Sequence, residues 1–154
     1  MKNIKYYLET TVFNFVFADD APEKREITKK FLETISESNS QTFISNIVIA
    51  EINRAPESKK TQMLELIEKY NPNVLEQNEE SEELAKRYIE EDIIPKKYDA
   101  DAFHIAVATV NDIDVIISWN LEHIVKLKTK IAVEGINRFL GYKTIEIVTP
   151  EEAL

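Results

Sequence analysis

Residues 99–110 read DADAFHIAVATV, and residues 114–120 read DVIISWN. The first stretch is typical of an alanine-rich helix that begins with two acids, and the second of a short apolar strand that ends in Ser118, Trp119 and Asn120. Open α/β sheets display their functional sites where polar residues follow the carboxyl end of a buried strand. The two stretches together therefore predict an α/β fold with a site at this edge of the sheet.

Composition limits the class of protein. The chain has 154 residues, of which 44% are hydrophobic and 31% are charged. This length suits one domain with a buried core, so residues 1–154 are expected to form a single domain. The sequence has no Cys, which excludes disulfides, zinc–thiolate sites and cysteine nucleophiles. No signal-like segment and no apolar run near the ~18 residues of a membrane span is present, so a cytoplasmic protein without a membrane partner is expected.

The net charge of −9 argues against a broad surface that coats nucleic acid. Such surfaces depend on many cationic side chains that neutralise phosphates. A small catalytic site where bound cations meet a phosphate remains compatible with this charge.

Strand-like and helix-like segments alternate along the whole chain. The segments rich in branched and aromatic residues lie at 4–8, 42–44, 74–75, 115–117 and 144–148. Alternation of this kind predicts a largely parallel sheet of four to five strands with helices on both faces.

Capping residues predict where the helices begin and end. A helix at 79–93 is expected to form an antiparallel hairpin with the helix before it, across an Asn-Pro turn. Gly141 fits the position after the end of the last long helix. The expected N-caps are an acid before Pro22, Ser45, Asp99 and Thr129.

Three polar residues in apolar surroundings have two interpretations each. Glu51 lies among Ile and Val residues, and is either a surface acid that pairs with Arg54 or a metal ligand. Glu9 is either a surface acid or a carboxylate displayed where the first strand ends. His104 shares a helix face with Asp101, and a hydrogen-bonded, half-buried histidine is favoured over a ligand or base.

Several chemistries are excluded by the sequence. Two glycines cannot supply a Gly-rich dinucleotide loop or a P-loop, and the two histidines form no zinc-hydrolase motif. Carboxylates at strand ends remain. Because clustered carboxylates repel each other unless a cation compensates them, and hard oxygen ligands favour Mg²⁺ or Mn²⁺, metal-assisted hydrolysis of a phosphodiester is predicted.

Four motifs in order resemble the PIN-domain family of metal-dependent ribonucleases, which includes the VapC-type toxins of toxin–antitoxin pairs. The family's first motif is similar to residues 9–13 (ETTVF), and its second to the helix from Ser45 to Glu51. The third, Asp-Ala-x-His-x-Ala, matches residues 101–106, and the fourth resembles residues 118–121 (SWNL). The spacings between Glu9, Glu51, Asp101 and Asn120 are 42, 50 and 19 residues, and the resemblance covers nearly the whole chain.

The resemblance implies a three-layer α/β/α PIN-like fold with a central, mainly parallel sheet. It also implies an RNA substrate, an antitoxin protein as partner and a homodimer. Its catalytic and metal-binding positions fall on Glu9, Glu51, Asp101 and Asn120, which would hold Mg²⁺ or Mn²⁺. Residues expected to support them are Thr10, Asn14, Ser118, Glu122 and Asp99.

Two of the four positions depart from the family pattern. Glu9 replaces an Asp and keeps the charge on a longer side chain, whereas Asn120 replaces an Asp and loses the charge. One strongly bound ion, with a second weaker or absent, is therefore expected. The lysines at 96, 97, 126, 128 and 130 form either a guide for a phosphate backbone or a plain solvated surface. The alternatives to a ribonuclease are an inactive PIN-like binding module and a hydrolase of another phosphate ester.

Overall fold

The structure is a computed structural model that describes residues 3–154, so the first two residues of the predicted domain lie outside it. Five parallel strands form one sheet in the order β3-β2-β1-β4-β5 within that range. The strands are β1 (Lys5–Leu8), β2 (Gln41–Ser45), β3 (Asn73–Leu75), β4 (Val115–Ile117) and β5 (Glu146–Val148). The predicted parallel sheet and three-layer α/β/α architecture are thus confirmed.

Eight helices flank this sheet in the described part of the chain. They are α1 (Thr10–Phe15), α2 (Pro22–Ser36), α3 (Asn46–Asn53), α4 (Glu57–Tyr70), α5 (Glu79–Glu90), α6 (Asp99–Val110), α7 (Leu127–Phe139) and α8 (Pro150–Ala153). No helix among residues 3–154 is long and apolar enough to cross a membrane.

The order in which the chain adds strands to the sheet reverses at the central strand, β1. The chain builds outward from β1 to β2 and β3, and then returns to the other side of β1 with β4 and β5. Leu8 and Ile117 are register partners at the carboxyl ends of β1 and β4, and both are fully buried. Such a reversal leaves a crevice above the carboxyl ends of the two strands, because their outgoing connections leave in opposite directions.

The hydrophobic core lies between this sheet and the helices. Tyr7 and Leu8 of β1, Ile44 of β2 and Ile116 of β4 are completely buried. Helix α6 is buried along most of its length, which explains why its sequence is alanine-rich: small side chains let it pack closely on α5.

The predicted helical hairpin is wrong. Strand β3 lies between α4 and α5 and pairs with β2, so the chain crosses the sheet edge instead of turning back on itself. Helix α5 packs on α6, whereas α4 packs on α1 and α3. The helix predicted at 79–93 ends at Glu90, because Asp92 takes a left-handed conformation with φ of 57°.

Three of the predicted N-caps are also wrong. Helix α2 is capped by Ala21 without a side-chain bond, and α6 begins at Asp99 itself after a 3₁₀ turn at Lys96–Tyr98. Helix α7 begins at Leu127, and the Thr129 hydroxyl donates to the carbonyl of His123. Ser45 does cap α3 through the backbone N–H of Ile47, and Gly141 follows α7 with φ of 87°, as predicted.

Two short helices were not expected. Residues 10–15 form α1, whose N-cap is Glu9, and the tail after β5 forms α8, which Thr149 caps through a reciprocal bond with Glu152. Neither helix is long enough to show a clear 3.6-residue apolar period, which is why the sequence pattern does not reveal them.

Trp119 fixes the segment that follows β4. Its indole N–H donates to Thr28 Oγ1 at 2.8 Å, and the Thr28 side chain is fully buried in α2. The substitution Thr28→Val keeps the shape but leaves the indole donor without an acceptor. We expect this to lower the free energy of unfolding by about 1–3 kcal/mol, measured by urea denaturation.

The control for this substitution is Thr34→Val, on an exposed position of the same helix. That change is expected to alter stability by less than about 0.5 kcal/mol. Equal stability of the two variants would show that the bond between Trp119 and Thr28 does not contribute.

Candidate metal centre

The Glu9 carboxylate lies where β1 and β4 end side by side. Ser118 Oγ donates to Glu9 Oε1 at 2.6 Å, and the Thr11 hydroxyl and backbone N–H reach the same oxygen at 2.5 and 3.2 Å. Only 3% of Glu9 is exposed. Because β1 ends at Leu8 and the next residue caps α1, this carboxylate is held at the crevice by both the strand and the helix.

The Glu51 carboxylate enters the same crevice from α3. Its Oε1 accepts hydrogen bonds from Thr10 Oγ1 at 2.5 Å and from His104 Nε2 at 2.6 Å. Burial raises the pKa of Glu51, but the bonds from His104 and Thr10 outweigh this effect and leave the pKa below its usual value. Glu51 therefore faces His104 as an anion, and no ion pair with Arg54 forms in the described structure.

Asp101 approaches from the first turn of α6. Its Oδ2 lies 3.1 Å from His123 Nδ1, and its carboxyl also bonds to the Asn120 side chain. Burial and the negative charge of Glu9 raise the pKa of Asp101 above its usual value. The larger cause of this elevation is the loss of hydration on burial, and the second is repulsion between the two carboxylates.

Asn120 links the strand end to Asp101. Its Oδ1 accepts the backbone N–H of His123 at 3.0 Å, and its own backbone N–H donates to Ser118 Oγ at 2.9 Å. The segment after β4 therefore brings both the Asn120 amide and the His123 imidazole into contact with Asp101.

A cleft of about 320 Å³ joins these side chains. All four predicted catalytic residues line it, together with two of the predicted supporting residues, Thr10 and Asn14. Ser118 lies buried behind Glu9. The residues that line the cleft are Glu9, Thr10, Thr11, Asn14, Glu51, Ala55, Met63, Asp101 and Asn120.

The remaining two predicted supporting residues lie elsewhere. Asp99 is exposed and lines a separate cleft beside Arg54. Glu122 has a side chain that is 79% exposed and lies 3.7 Å from His123 Nε2. Neither the Asp99 nor the Glu122 carboxylate therefore lines the cleft that contains Glu9.

The unused oxygens of the two glutamates decide what the cleft can bind. Oε1 of each is occupied by protein donors, while Oε2 of each receives no hydrogen bond from residues 3–154. Glu9 and Glu51 each offer a ligand atom, within 4.8 Å of one another and of a His104 nitrogen. Two carboxylates this close together suit a divalent cation, which would also relieve the repulsion between Glu9 and Asp101.

Thr11, which binds Glu9, was quoted only as part of the first motif, and sequence patterns missed three further residues of this site. His123 and Lys59 reach it only through the fold: His123 contacts Asp101, and Lys59 Nζ donates to Asn14 Oδ1 at 2.9 Å. Tyr7 lies under the cleft and bonds to His104. Of these, only Tyr7 gave a signal, as a polar ring within an apolar strand next to the first motif.

The predicted lysine cluster lies beside the centre. Lys126 and Lys128 line a neighbouring cleft of about 240 Å³ together with His123, Glu122 and other residues. Lys96 and Lys97 form part of the 3₁₀ turn before α6. The two clefts share the boundary formed by the contact between His123 and Asp101.

Comparisons with known proteins agree with this fold. The family model of the PIN domain matches residues 6–123. A chain of the crystal structure of VapBC2 from Rickettsia felis, bound to a DNA fragment from their promoter, is similar in fold with a TM-score of 0.58. The similarity covers 95% of this chain and 98% of that chain at 13% sequence identity. No curated protein matches the sequence.

The neutral side chain at position 120 gives the first test of the centre. Asn120→Asp can keep the bond from the His123 N–H but places a further anion against Asp101. We expect the metal-free variant to melt at a lower temperature, and Mn²⁺ to bind on the order of tenfold more tightly, or about 1.4 kcal/mol. Calorimetric titration and thermal melts with and without Mn²⁺ measure both effects.

The matched control is Asn111→Asp, at the end of α6, where Asn111 Nδ2 donates to the carbonyl of Val107. Mn²⁺ affinity is expected to be unchanged there. Weaker Mn²⁺ binding by Asn120→Asp would contradict a cation site between Asp101 and Asn120.

Proposed function

The chain belongs to the PIN-domain family, and from this premise we propose that it is an endoribonuclease that uses Mg²⁺ or Mn²⁺ to hydrolyse phosphodiesters of RNA. The observation that carries the proposal is that Glu9 and Glu51 each offer a ligand oxygen within 4.8 Å of the other and line one cleft together with Asp101. Clusters of oxygen ligands favour these hard cations.

Glu9, Glu51 and Asp101 would hold the cation, and Asn120 would add a neutral oxygen or amide contact. The bound cation would lower the pKa of a water and stabilise negative charge on the phosphate. Ser118 and Thr11 fix Glu9, while Thr10 and His104 fix Glu51, so the oxygens are held in place before substrate arrives.

Lys59 supplies a positive charge at the rim of the cleft. Its Nζ is held 2.9 Å from Asn14 Oδ1, and Asn14 lines the cleft. In the proposed reaction, Lys59 would contact a phosphate oxygen of the bound strand. The neighbouring cleft with Lys126 and Lys128 would receive the adjoining part of the backbone.

Removing one ligand charge tests the proposed activity. We expect Glu51→Gln and Asp101→Asn to reduce the rate of RNA cleavage with Mn²⁺ by more than roughly 100-fold, beyond the range typical of residues outside the ligand shell. The measurement is cleavage of single-stranded RNA, with single-stranded DNA and simple phosphate esters assayed alongside.

The matched control is Asp99→Asn, two residues from Asp101 on the same helix but exposed and outside the cleft. It is expected to cleave at the unchanged rate. Equal rates for all variants would reject this site, and tight Mn²⁺ binding without any cleavage would favour a binding module. That alternative is favoured by Asn120, which contacts Asp101 without contributing a charge.

We further propose that the protein is a cytoplasmic, single-domain toxin of a VapBC-type pair, inhibited by an antitoxin. The support is family membership together with the fold shared with a chain of the VapBC2 structure. A small neighbouring reading frame that encodes a DNA-binding segment and a partner that blocks RNA cleavage would support this role.

A homodimer through α7 is also proposed. Leu127, Ile131 and Phe139 are 72, 61 and 79% exposed, and they lie with Gly135 at four-residue intervals along one face of the helix. The space over Gly135 is open. In an antiparallel pair of α7 helices, Ile131 of each copy could lie over Gly135 of the other, so the face is complementary to itself.

The substitution Ile131→Glu tests this interface. We expect a dimeric wild-type protein and a variant that is monomeric at the same concentration, measured by light scattering, because the buried charge would have no partner. Val74→Glu, at another exposed apolar position, serves as the control and should remain dimeric. A monomeric wild-type protein would remove the proposal.

A further inference from the structure

A buried chain of hydrogen bonds runs from β2 to the metal centre. Ser45 Oγ lies 2.7 Å from Tyr7 Oη, Tyr7 Oη lies 2.6 Å from His104 Nδ1, and His104 Nε2 lies 2.6 Å from Glu51 Oε1. Ser45, Tyr7 and His104 are each fully buried. Water does not reach these side chains, so their hydroxyl and imidazole hydrogens have to be donated to protein acceptors.

The end at Glu51 fixes one proton. A carboxylate can only accept hydrogen bonds, so His104 Nε2 must carry a hydrogen and donate it to Oε1. That hydrogen occupies the only direction in which Nε2 could offer a lone pair to a cation. The nitrogen therefore lies within 4.8 Å of the glutamate oxygens without being a ligand while this bond is intact.

The end at Ser45 fixes the remaining protons. Ser45 Oγ accepts the backbone N–H of Ile47 at 3.1 Å, and Tyr7 Oη is the only acceptor for its hydroxyl hydrogen among residues 3–154. When the imidazole is neutral, Ser45 therefore donates to Tyr7, and the Tyr7 hydroxyl in turn donates to His104 Nδ1. Each polar side-chain atom of Ser45, Tyr7 and His104 then has a hydrogen-bond partner, which is the rule for buried polar groups.

We propose that His104 is a positioning residue that holds Glu51 through its Nε2–H, that Tyr7 and Ser45 fix this orientation of the imidazole, and that His104 does not ligate the metal. The proposal rests on the proposed function of the cleft as a metal site. Oε2 of Glu51 is left for the cation because Oε1 is fully occupied by His104 and Thr10. Hydrogen bonds of this kind commonly set the orientation of a ligating carboxylate.

Nitrogen NMR of the metal-free protein tests the direction of the chain. At a pH high enough for the imidazole to be neutral, we expect the ¹⁵N signals of His104 to show a protonated Nε2 and an unprotonated Nδ1. An unprotonated Nε2 would overturn the positioning role, and a proton on Nδ1 would overturn the donation from Tyr7. This measurement requires neither RNA nor a metal, so its result is independent of whether the cleft is a nuclease site.

Pulsed electron paramagnetic resonance of the protein loaded with Mn²⁺ tests the ligand set. We expect no coupling from a directly bound imidazole nitrogen. Such a coupling, lost in His104→Gln, would make His104 a ligand and overturn the proposal. Failure of the wild-type protein to bind Mn²⁺ at all would instead overturn the proposed function and with it the metal-related half of this inference.

Tyr7→Phe removes the hydroxyl while keeping the buried ring. We expect Mn²⁺ to bind about tenfold more weakly, the lower end of the loss typical of residues behind the ligands. Tyr88→Phe is the matched control, because Tyr88 is equally buried and donates to Asn137 far from the cleft, so its Mn²⁺ affinity should be unchanged. Equal Mn²⁺ affinity in the two folded variants, or a nitrogen spectrum of His104 that Tyr7→Phe leaves unaltered, would overturn the role of Tyr7.

Discussion

The buried carboxylate of Glu9 is the constraint on which the site and the surrounding fold depend. A buried anion is costly unless donors surround it, and the donors come from two segments more than one hundred residues apart, Thr11 and Ser118. Thr11 Oγ1 also accepts the backbone N–H of Trp119 at 2.8 Å. The pairing of β1 with β4, the start of α1 and the path after β4 are therefore mutually dependent.

The two departures from the family pattern have different consequences: the one at position 9 changes reach, and the one at position 120 changes charge. A glutamate at position 9 reaches back to cap its own helix with one oxygen and keeps the other free. An asparagine at position 120 removes one charge from a cleft in which Asp101 already feels the repulsion of Glu9. The centre thus carries three formal negative charges, which one divalent cation compensates more nearly than it would four.

The strand ends near Glu9 and Asn120 were predictable because both residues follow short runs of branched, aromatic or apolar residues in a chain whose strands and helices alternate. Once Glu9 and Asn120 each follow a strand, the topology brings them to one edge without further information. Asp101 and Asp99 illustrate the limit: both are acids in the first turn of α6, but positions two apart point to different sides of a helix. Only the packing of α6 shows that Asp101 faces the cleft while Asp99 is exposed.

Thr10 and Ser118 were predicted as supporting residues, but the hydrogen bonds that lead through His104 to Glu51 could not be predicted, for a physical reason. Tyr7, Ser45 and His104 lie on three different elements, and their bonds span 38 and 97 residues of sequence. Each residue also has a sufficient local explanation: a strand aromatic, a helix cap and a histidine on a helix. Hydrogen bonds between residues far apart in the sequence produce no periodic sequence pattern, so they can be identified only from the folded structure.

The overall charge makes the local arrangement more important. A chain of net charge −9 repels a polyanion at long range, although salt screens this repulsion beyond about 8 Å under physiological conditions. In the proposed reaction, attraction for a phosphate would therefore come from groups within contact distance, namely a bound cation, Lys59 at the rim and the lysines of the neighbouring cleft. A fixed, correctly oriented set of ligands matters more here than in a basic protein, because no broad positive surface can compensate for a loosely held cation.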